Sequence, residues 1–483
     1  MTDLIPWLDE TYIVEMGRLF LCGGDADSIL LGRGQSALLP LCYVGPLAHE
    51  LAFRLCGQVG VRLLPFFALG AAALAFHSWL RRSRRLPRQE CALLALSVAF
   101  SPLLYQSALL TRADCLALFF LFASWRFLAT GLARDSVRDF ALAGALAALS
   151  ALTWPTAFLF GATHLVLLAE SRRWRPALFF SAAALAALAA LMIPAIGALP
   201  AVLHSFARHY SEVTSPAGGF LDVAIPLAKE ISRSPFLASL SLVGLATWAR
   251  RRKWTALTAF AIAFATASLA GLYTFRIVYL VPFFCLASVE AAEACRERFP
   301  RLLRNFLWLT VAYGVLTGPV GHLVLDYPRL PPNVKAFLAE TVGTGPIRVF
   351  APDHAAYYVG RELGWRQRGF ARPSDMEDRE ALARVLDGCE AAVLRDFDPY
   401  ATFQQSCTPY GLFSKYVLRR AREEKDLPAE RKSPLARFGS RFSFAWHAPV
   451  ELDGFREVAR DGMIRVFRRA SSGDGSRSGK KSD

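Results

Sequence analysis

The sequence predicts an α-helical polytopic membrane protein with a small α/β domain at its C-terminal end. Three observations carry this. Of 483 residues, 54% are hydrophobic and only 20% are charged, against about 25% charged in a soluble domain. The apolar residues gather into nearly uncharged runs of about 16–22, the length that crosses a hydrocarbon core. After about residue 326 this pattern stops, charge and proline rise, and the apolar residues fall into short blocks.

The net charge of +15 invites a nucleic-acid reading. The positions of the cations argue against it. Arg81, Arg82, Arg84, Arg85 and Arg88 sit between two apolar runs, as do Arg172, Arg173 and Arg175, then Arg250 to Lys253, then Arg296, Arg298, Arg301 and Arg304. Short basic loops are topology signals that stay on the cytoplasmic side. The nine cysteines show no CxxC or Cys/His metal spacing. A disulfide between Cys389 and Cys407 is an option if their domain lies outside the reducing cytosol.

Taken in order, residues 1–35 are polar and mixed, with no cleavable signal. Residues 36–56 are apolar but carry His49, Glu50 and Arg54, which suits a helix lying in the interface better than a span. About ten spans follow, near 60–80, 90–109, 114–130, 138–153, 156–170, 177–198, 234–249, 255–272, 275–291 and 305–325. With the basic loops inside, the connections near 110–113, 154–155, 199–233 and 273–274 fall outside, as do the N-terminal segment and everything after about 326. A polar N-terminal segment on the outside is either pulled across by the first helix or preceded by an initial span ahead of residue 1, and the second is expected.

In the C-terminal part, Pro346 to Phe350, Glu390 to Leu394, Phe442 to Trp446 and Met463 to Phe467 read as strands. Ala355 to Leu363 and Glu377 to Leu386 read as helices. The chain thus divides into an acidic segment with an interfacial helix (1–59), a helical membrane domain (60–325), an α/β domain (326–470) and a disordered tail (471–483).

No Walker loop, GxSxG or HExxH occurs. The candidates for chemistry are ionisable groups at the outer boundary, where they are costly to keep. Asp9-Glu10, followed by Tyr12, is the first, although an aspartate ahead of a first turn is also a common helix cap. Thr111-Arg112-Ala113-Asp114 is the second, with Asp114 equally readable as a cap. The third is the outer loop with His204, Arg208 and His209, readable as an amphipathic interfacial helix. The fourth is Arg276 with Tyr279 at the mouth of a span, readable as a snorkelling arginine. Carboxylates and cations on one face suit general-base chemistry beside a bound phosphate.

The order of these motifs resembles the GT-C glycosyltransferases. The branch most resembled is the dolichyl-phosphate-mannose protein mannosyltransferases and their bacterial, aminoarabinose transferase-like relatives. The resemblance rests on Leu8-Asp9-Glu10-Thr11-Tyr12 with Gly17-Arg18, then Pro40 to Pro46, Leu55-Cys56-Gly57 and Val61-Arg62-Leu63. Ser107 to Leu116 and Arg276 to Pro282 extend it, so that it covers roughly residues 7–325. It implies transfer of a sugar from a polyprenyl-phosphate donor to an acceptor lipid, glycan or protein, with inversion. Asp9 would be the catalytic carboxylate and Asp114 a second catalytic acid. Glu10, Tyr12, Arg112, His204, Arg208, His209, Arg276 and Tyr279 would line the substrate, with Arg276 toward the donor phosphate. Some enzymes of this kind use a divalent metal and others do not, and the motifs leave both open. The resemblance places the protein in a bacterial inner membrane, with its site and C-terminal domain on the periplasmic or extracellular side. Two other classes stay open: a transporter or flippase of a lipid-linked sugar, and a non-catalytic envelope subunit.

Overall fold

The computed structural model describes residues 8–22, 42–198, 231–269, 276–323, 329–351, 356–368, 379–395 and 452–470, with most of 408–440. The expected strand at 442–446, Cys407 and the tail at 471–483 lie outside these residues.

The first helix, α1 (Leu8–Cys22), occupies part of the segment read as polar. Next comes α2 (Val44–Ser83), 40 residues long. It joins the expected interfacial helix and first span, and its break is at Gly57, whose φ of 62° and ψ of −154° are not helical. Glycine tolerates that conformation without a Cβ clash, so the half carrying His49, Glu50 and Arg54 departs at an angle from the membrane half.

The span expected at 90–109 is instead two helices, α3 (Arg88–Ala99) and α4 (Pro102–Leu109), bent by 46° at a Ser-Pro step. Proline cannot continue the ladder of the preceding helix, so the bend falls there. The series continues with α5 (Asp114–Arg134), α6 (Val137–Thr153), a 3-10 turn (Pro155–Gly161), α7 (Ala162–Ser171) and α8 (Trp174–Met192). After it come α9 (Pro235–Arg250), α10 (Trp254–Leu269), a 3-10 turn (Arg276–Leu280), α11 (Val281–Arg298) and α12 (Pro300–Val315), which runs on through a π-turn at Leu316–Val320.

Small residues set the close approaches, as expected where lipid supplies no hydrophobic drive between helices. A Cβ on Gly244 of α9 would strike the backbone of Ala287 in α11, and one on Gly17 of α1 would strike the Pro46 carbonyl and the Glu50 side chain of α2. One apolar core runs through the helices, centred on Phe76, Trp79, Phe122 and Trp125.

The basic loops meet at one end of this bundle. Arg84 binds Glu170 at 3.1 Å, Lys253 binds Glu170 at 2.9 Å and Glu290 at 2.8 Å, and Arg251 binds Glu290 at 2.7 Å. Helix α1, the Thr111–Asp114 turn and residues 357–361 of the C-terminal domain gather at the other end, around the first half of α2.

Among the described residues the C-terminal domain has a five-stranded sheet in the order β2 (Arg366–Arg368), β1 (Arg348–Phe350), β3 (Ala391–Arg395), β5 (Ile464–Arg469), β4 (Phe455–Asp461). The β1/β2 and β1/β3 pairs are parallel and the others antiparallel. Strands β2 and β4, and the helix α13 (Val334–Thr341), were not evident in the sequence. Alternation along β1, β3 and β5 sends Val349, Val393 and Val466 to one core and Phe350, Leu394 and Phe467 to the other. Helices α14 (Tyr357–Glu362) and α15 (Arg379–Leu386) cross over between strands. Cys389 is a buried free thiol.

Candidate active site

The acidic helix α1 lies on the first half of α2, with Gly17 against Pro46 and Glu50. That contact turns Glu10 and Glu15 inward, with exposures of 0% and 2%. A buried carboxylate is costly unless paired and hydrogen-bonded. Glu10 accepts from Arg62 Nε of α2 at 3.0 Å, an ion pair buried on both sides. Glu15 accepts from Arg18 Nε at 2.9 Å and from the Tyr357 hydroxyl at 2.8 Å. Glu50 accepts from Arg54 at 2.9 Å and from both terminal nitrogens of Arg361 at 2.7 and 3.1 Å.

Tyr357, Tyr358 and Arg361 all belong to α14 of the C-terminal domain. Burial first, then the charge of Glu15, pushes the Tyr357 phenol well above its usual range. Burial and then Glu10 do the same to Tyr358. Burial alone would lower the Arg361 guanidinium, but its hydrogen bond to Glu50 and the Tyr357 and Glu50 charges hold it above its usual value. Phe53 stacks on Tyr358 at 5.4 Å and lies 4.2 Å beneath the Arg361 guanidinium.

The second acidic element meets the same half of α2. Gly45 packs on Ala113 and Thr153, and His49 Nδ1–H donates to the Gly45 carbonyl, 2.8 Å away. Asp114 opens α5, and its Oδ2 accepts from Arg112 Nε at 2.7 Å and Ser107 Oγ at 3.0 Å. Its Oδ1 and the Thr111 hydroxyl are buried and hold no hydrogen bond among the described residues. Thr111 has a φ of 57°, an outlier for a β-branched residue and a form of strain concentrated at functional sites. Arg112 also stacks over Trp154 at 5.7 Å.

The structure therefore brings Glu10, Arg112 and Asp114 to elements that share the first half of α2. Asp9 lies in the first turn of α1 and Arg276 opens the Arg276–Leu280 turn, and the side chains of both fall outside the described residues. Tyr12 is half-buried on α1, whereas Tyr279 is buried in the apolar core of the bundle. His204, Arg208 and His209 lie outside the described residues. Sequence reasoning missed Tyr357, Tyr358 and Arg361 altogether. Their signal was weak: two aromatics and a cation at helical spacing, in a domain with no visible link to the acids. Among the described residues no group of three or more His, Cys, Asp or Glu could hold a metal ion.

An apolar cavity of about 280 Å³ opens between α9, α10 and the start of α11. Leu237, Phe260, Ile277, Val281 and Phe284 line it, with Ser241 as a polar member.

Bundle, half-helix and sheet together make an α-helical integral-membrane fold with a small C-terminal α/β domain, the fold class that the sequence predicted. Among solved structures it is similar to ArnT from Cupriavidus metallidurans bound to undecaprenyl phosphate, with a TM-score of 0.54 and 14% identity, covering 98% of this chain and 95% of that one. The apo state of the same ArnT gives a TM-score of 0.48, also at 14% identity, over 96% and 94% of the two chains. No protein-family model and no curated protein matches the sequence.

Proposed function

We propose that this protein is a membrane glycosyltransferase that moves a sugar from a polyprenyl-phosphate donor to an acceptor on the outer face of the membrane. The observation that carries the reading is the convergence of two acidic elements, α1 and the Thr111–Asp114 turn, on one half-helix of α2. The likeness in fold to a protein holding undecaprenyl phosphate supports a lipid-linked donor.

In this reading the acceptor hydroxyl oxygen attacks the anomeric carbon from the face opposite the phosphate. The carbon–phosphate-oxygen bond breaks, polyprenyl phosphate leaves, and the hydroxyl proton passes to Asp9 acting as general base. Direct displacement inverts the sugar carbon. Asp114, held by Arg112 and Ser107 through one oxygen, keeps the other for a substrate hydroxyl. Arg276 would face the donor phosphate, with His204, Arg208 and His209 as weaker candidates for that role and Tyr12 of α1 toward the substrate. The apolar cavity beside Ile277 suits a prenyl tail. The donor's sugar is a hexose or pentose, and the membrane is the bacterial inner membrane with the C-terminal domain outside it.

The test is purified protein in lipid nanodiscs with radiolabelled polyprenyl-phosphate sugars and candidate lipid, glycan and protein acceptors. Release of polyprenyl phosphate coupled to labelled acceptor supports the reading. A flippase is the second reading, favoured by the broken helix pair α3/α4, since transporters use such breaks. It would move label across the bilayer with the sugar–phosphate bond intact.

A further inference from the structure

We infer that Tyr357, Tyr358 and Arg361 of the C-terminal domain are positioning residues for the transfer reaction, holding the helix that carries Asp9 against the first half of α2. This rests on the transferase reading above.

A domain resting on a membrane bundle needs only apolar contact, and some is present: Val14 and Val61 pack with Tyr357 and Tyr358, and Phe53 covers them. Yet the same short helix also reaches three buried carboxylates on the membrane side. Tyr357 donates to Glu15, Arg361 grips both oxygens of Glu50, and the Tyr358 phenol lies beside Glu10. Each acid has one cation from the membrane part as well: Arg18, Arg54 and Arg62 respectively. The electrostatic complement of the site is thus divided between two domains. Without α14, Glu15 and Glu50, with exposures of 2% and 0%, would keep only part of their hydrogen bonding, an expensive state.

The helix that benefits is short. A 15-residue helix is marginal alone in water, so its place is set by what it packs on. On one side that is α2, through Gly17. On the other it is α14, through Glu10, Val14 and Glu15, one acid from the first turn and two residues from the middle. Arg361 fixes the matching point on α2, at Glu50. The register between the two helices, and with it the placement of Asp9, therefore depends on the C-terminal domain. A misplacement of about 1 Å at a reacting group can cost about 10²-fold in rate.

The experiment uses the full-length protein in nanodiscs with Arg361→Ala, Arg361→Lys and Tyr357→Phe. Two readouts are taken: steady-state kinetics with a polyprenyl-phosphate sugar, and hydrogen–deuterium exchange of α1, α5 and the C-terminal sheet. The expected result for Arg361→Ala is kcat down about 10²-fold with donor KM within about twofold, and α1 exchange faster by about tenfold with α5 and the sheet unchanged. Arg361→Lys recovers part of both, and Tyr357→Phe gives a smaller change in the same direction. Unchanged α1 exchange in both Arg361→Ala and Tyr357→Phe overturns the proposal. So does faster exchange with kcat intact, which would make the contact structural only. If the wild-type protein transfers no sugar from any donor, the transferase reading fails by itself, while the exchange data still decide whether α14 holds α1.

Discussion

Replacing Arg62 by methionine keeps most of its volume and removes its charge from the Glu10 pair. Glu10 and Arg62 are 3.0 Å apart, with side-chain exposures of 1% and 8%. At an effective dielectric constant of 20, that separation is worth about 5 kcal/mol of attraction. Desolvation of the two ions offsets much of it when both are present. When one partner is removed, the other is left charged and buried, and the cost is about 3–5 kcal/mol. Tyr358 beside Glu10 relieves a fraction of this, which places Arg62→Met near the lower end. At roughly 2–4 °C per kcal/mol, the unfolding midpoint should fall by on the order of 10 °C. The assay is fluorescence-detected thermal unfolding in one detergent at one scan rate. Glu10→Gln combined with Arg62→Met removes both charges and should recover more than half of the fall. A single variant within about 2 °C of wild type, or a double variant no better than the single one, refutes the reasoning that this pair is buried and coupled.

Three other outcomes follow from the same geometry. Gly17→Val drives a side chain into the Pro46 carbonyl and Glu50, and should destabilise by about 1–3 kcal/mol, read as a lower unfolding midpoint with α1 exchanging faster. Asp114→Asn keeps the size of the side chain but loses the charge that Arg112 and Ser107 hold; kcat should fall by roughly 10²-fold, and the unfolding midpoint should fall as well, because Arg112 loses a buried ionic partner. The Tyr357 phenol is raised above its unfolded value of 10.0 by burial and then by Glu15. The folded state therefore holds its proton more tightly, and this contribution to stability is fully present below about pH 10 and lost as pH rises through the folded value. Phenolate absorbance between pH 10 and 11 should be unchanged by Tyr357→Phe, and an absorbance loss of one tyrosine in that window would contradict the burial.

Much of the membrane domain was legible because the bilayer imposes a length and a sign on the sequence. Runs near 114–130, 138–153, 177–198 and 234–249 became helices within a few residues of those bounds, and the basic loops met at one end as their charge demanded. The departures have local causes. From Val44 to Ser83 the expected interfacial helix and first span run on as two helices joined at Gly57, whose non-helical backbone changes the direction without a connecting loop. The run at 90–109 bends because Pro102 cannot continue the helix before it. In the C-terminal domain, Arg366-Gln367-Arg368 and the strand from Phe455 to Asp461 carry too little apolar alternation to read as strands; an edge strand exposed on one side needs none.

The site was legible only in part. Asp114 and Glu10 stood out as acids beside apolar spans, where charge is expensive. Glu50 reads only as a reason to lay its helix in the interface, Arg62 only as part of a family motif and Arg361 not at all, because their importance lies in pairings across 52 and 311 residues of chain. Nothing in local spacing records such a pairing. A tyrosine pair in a soluble domain looks like ordinary core until the fold sets it on two glutamates.

The most direct measurement of the central claim is sugar transfer by Asp9→Asn in nanodiscs, with polyprenyl-phosphate sugar and an acceptor that the wild-type protein uses. The account predicts a loss of at least about 10²-fold in kcat, with donor binding and the unfolding midpoint close to wild type. Full transfer activity in Asp9→Asn would contradict it.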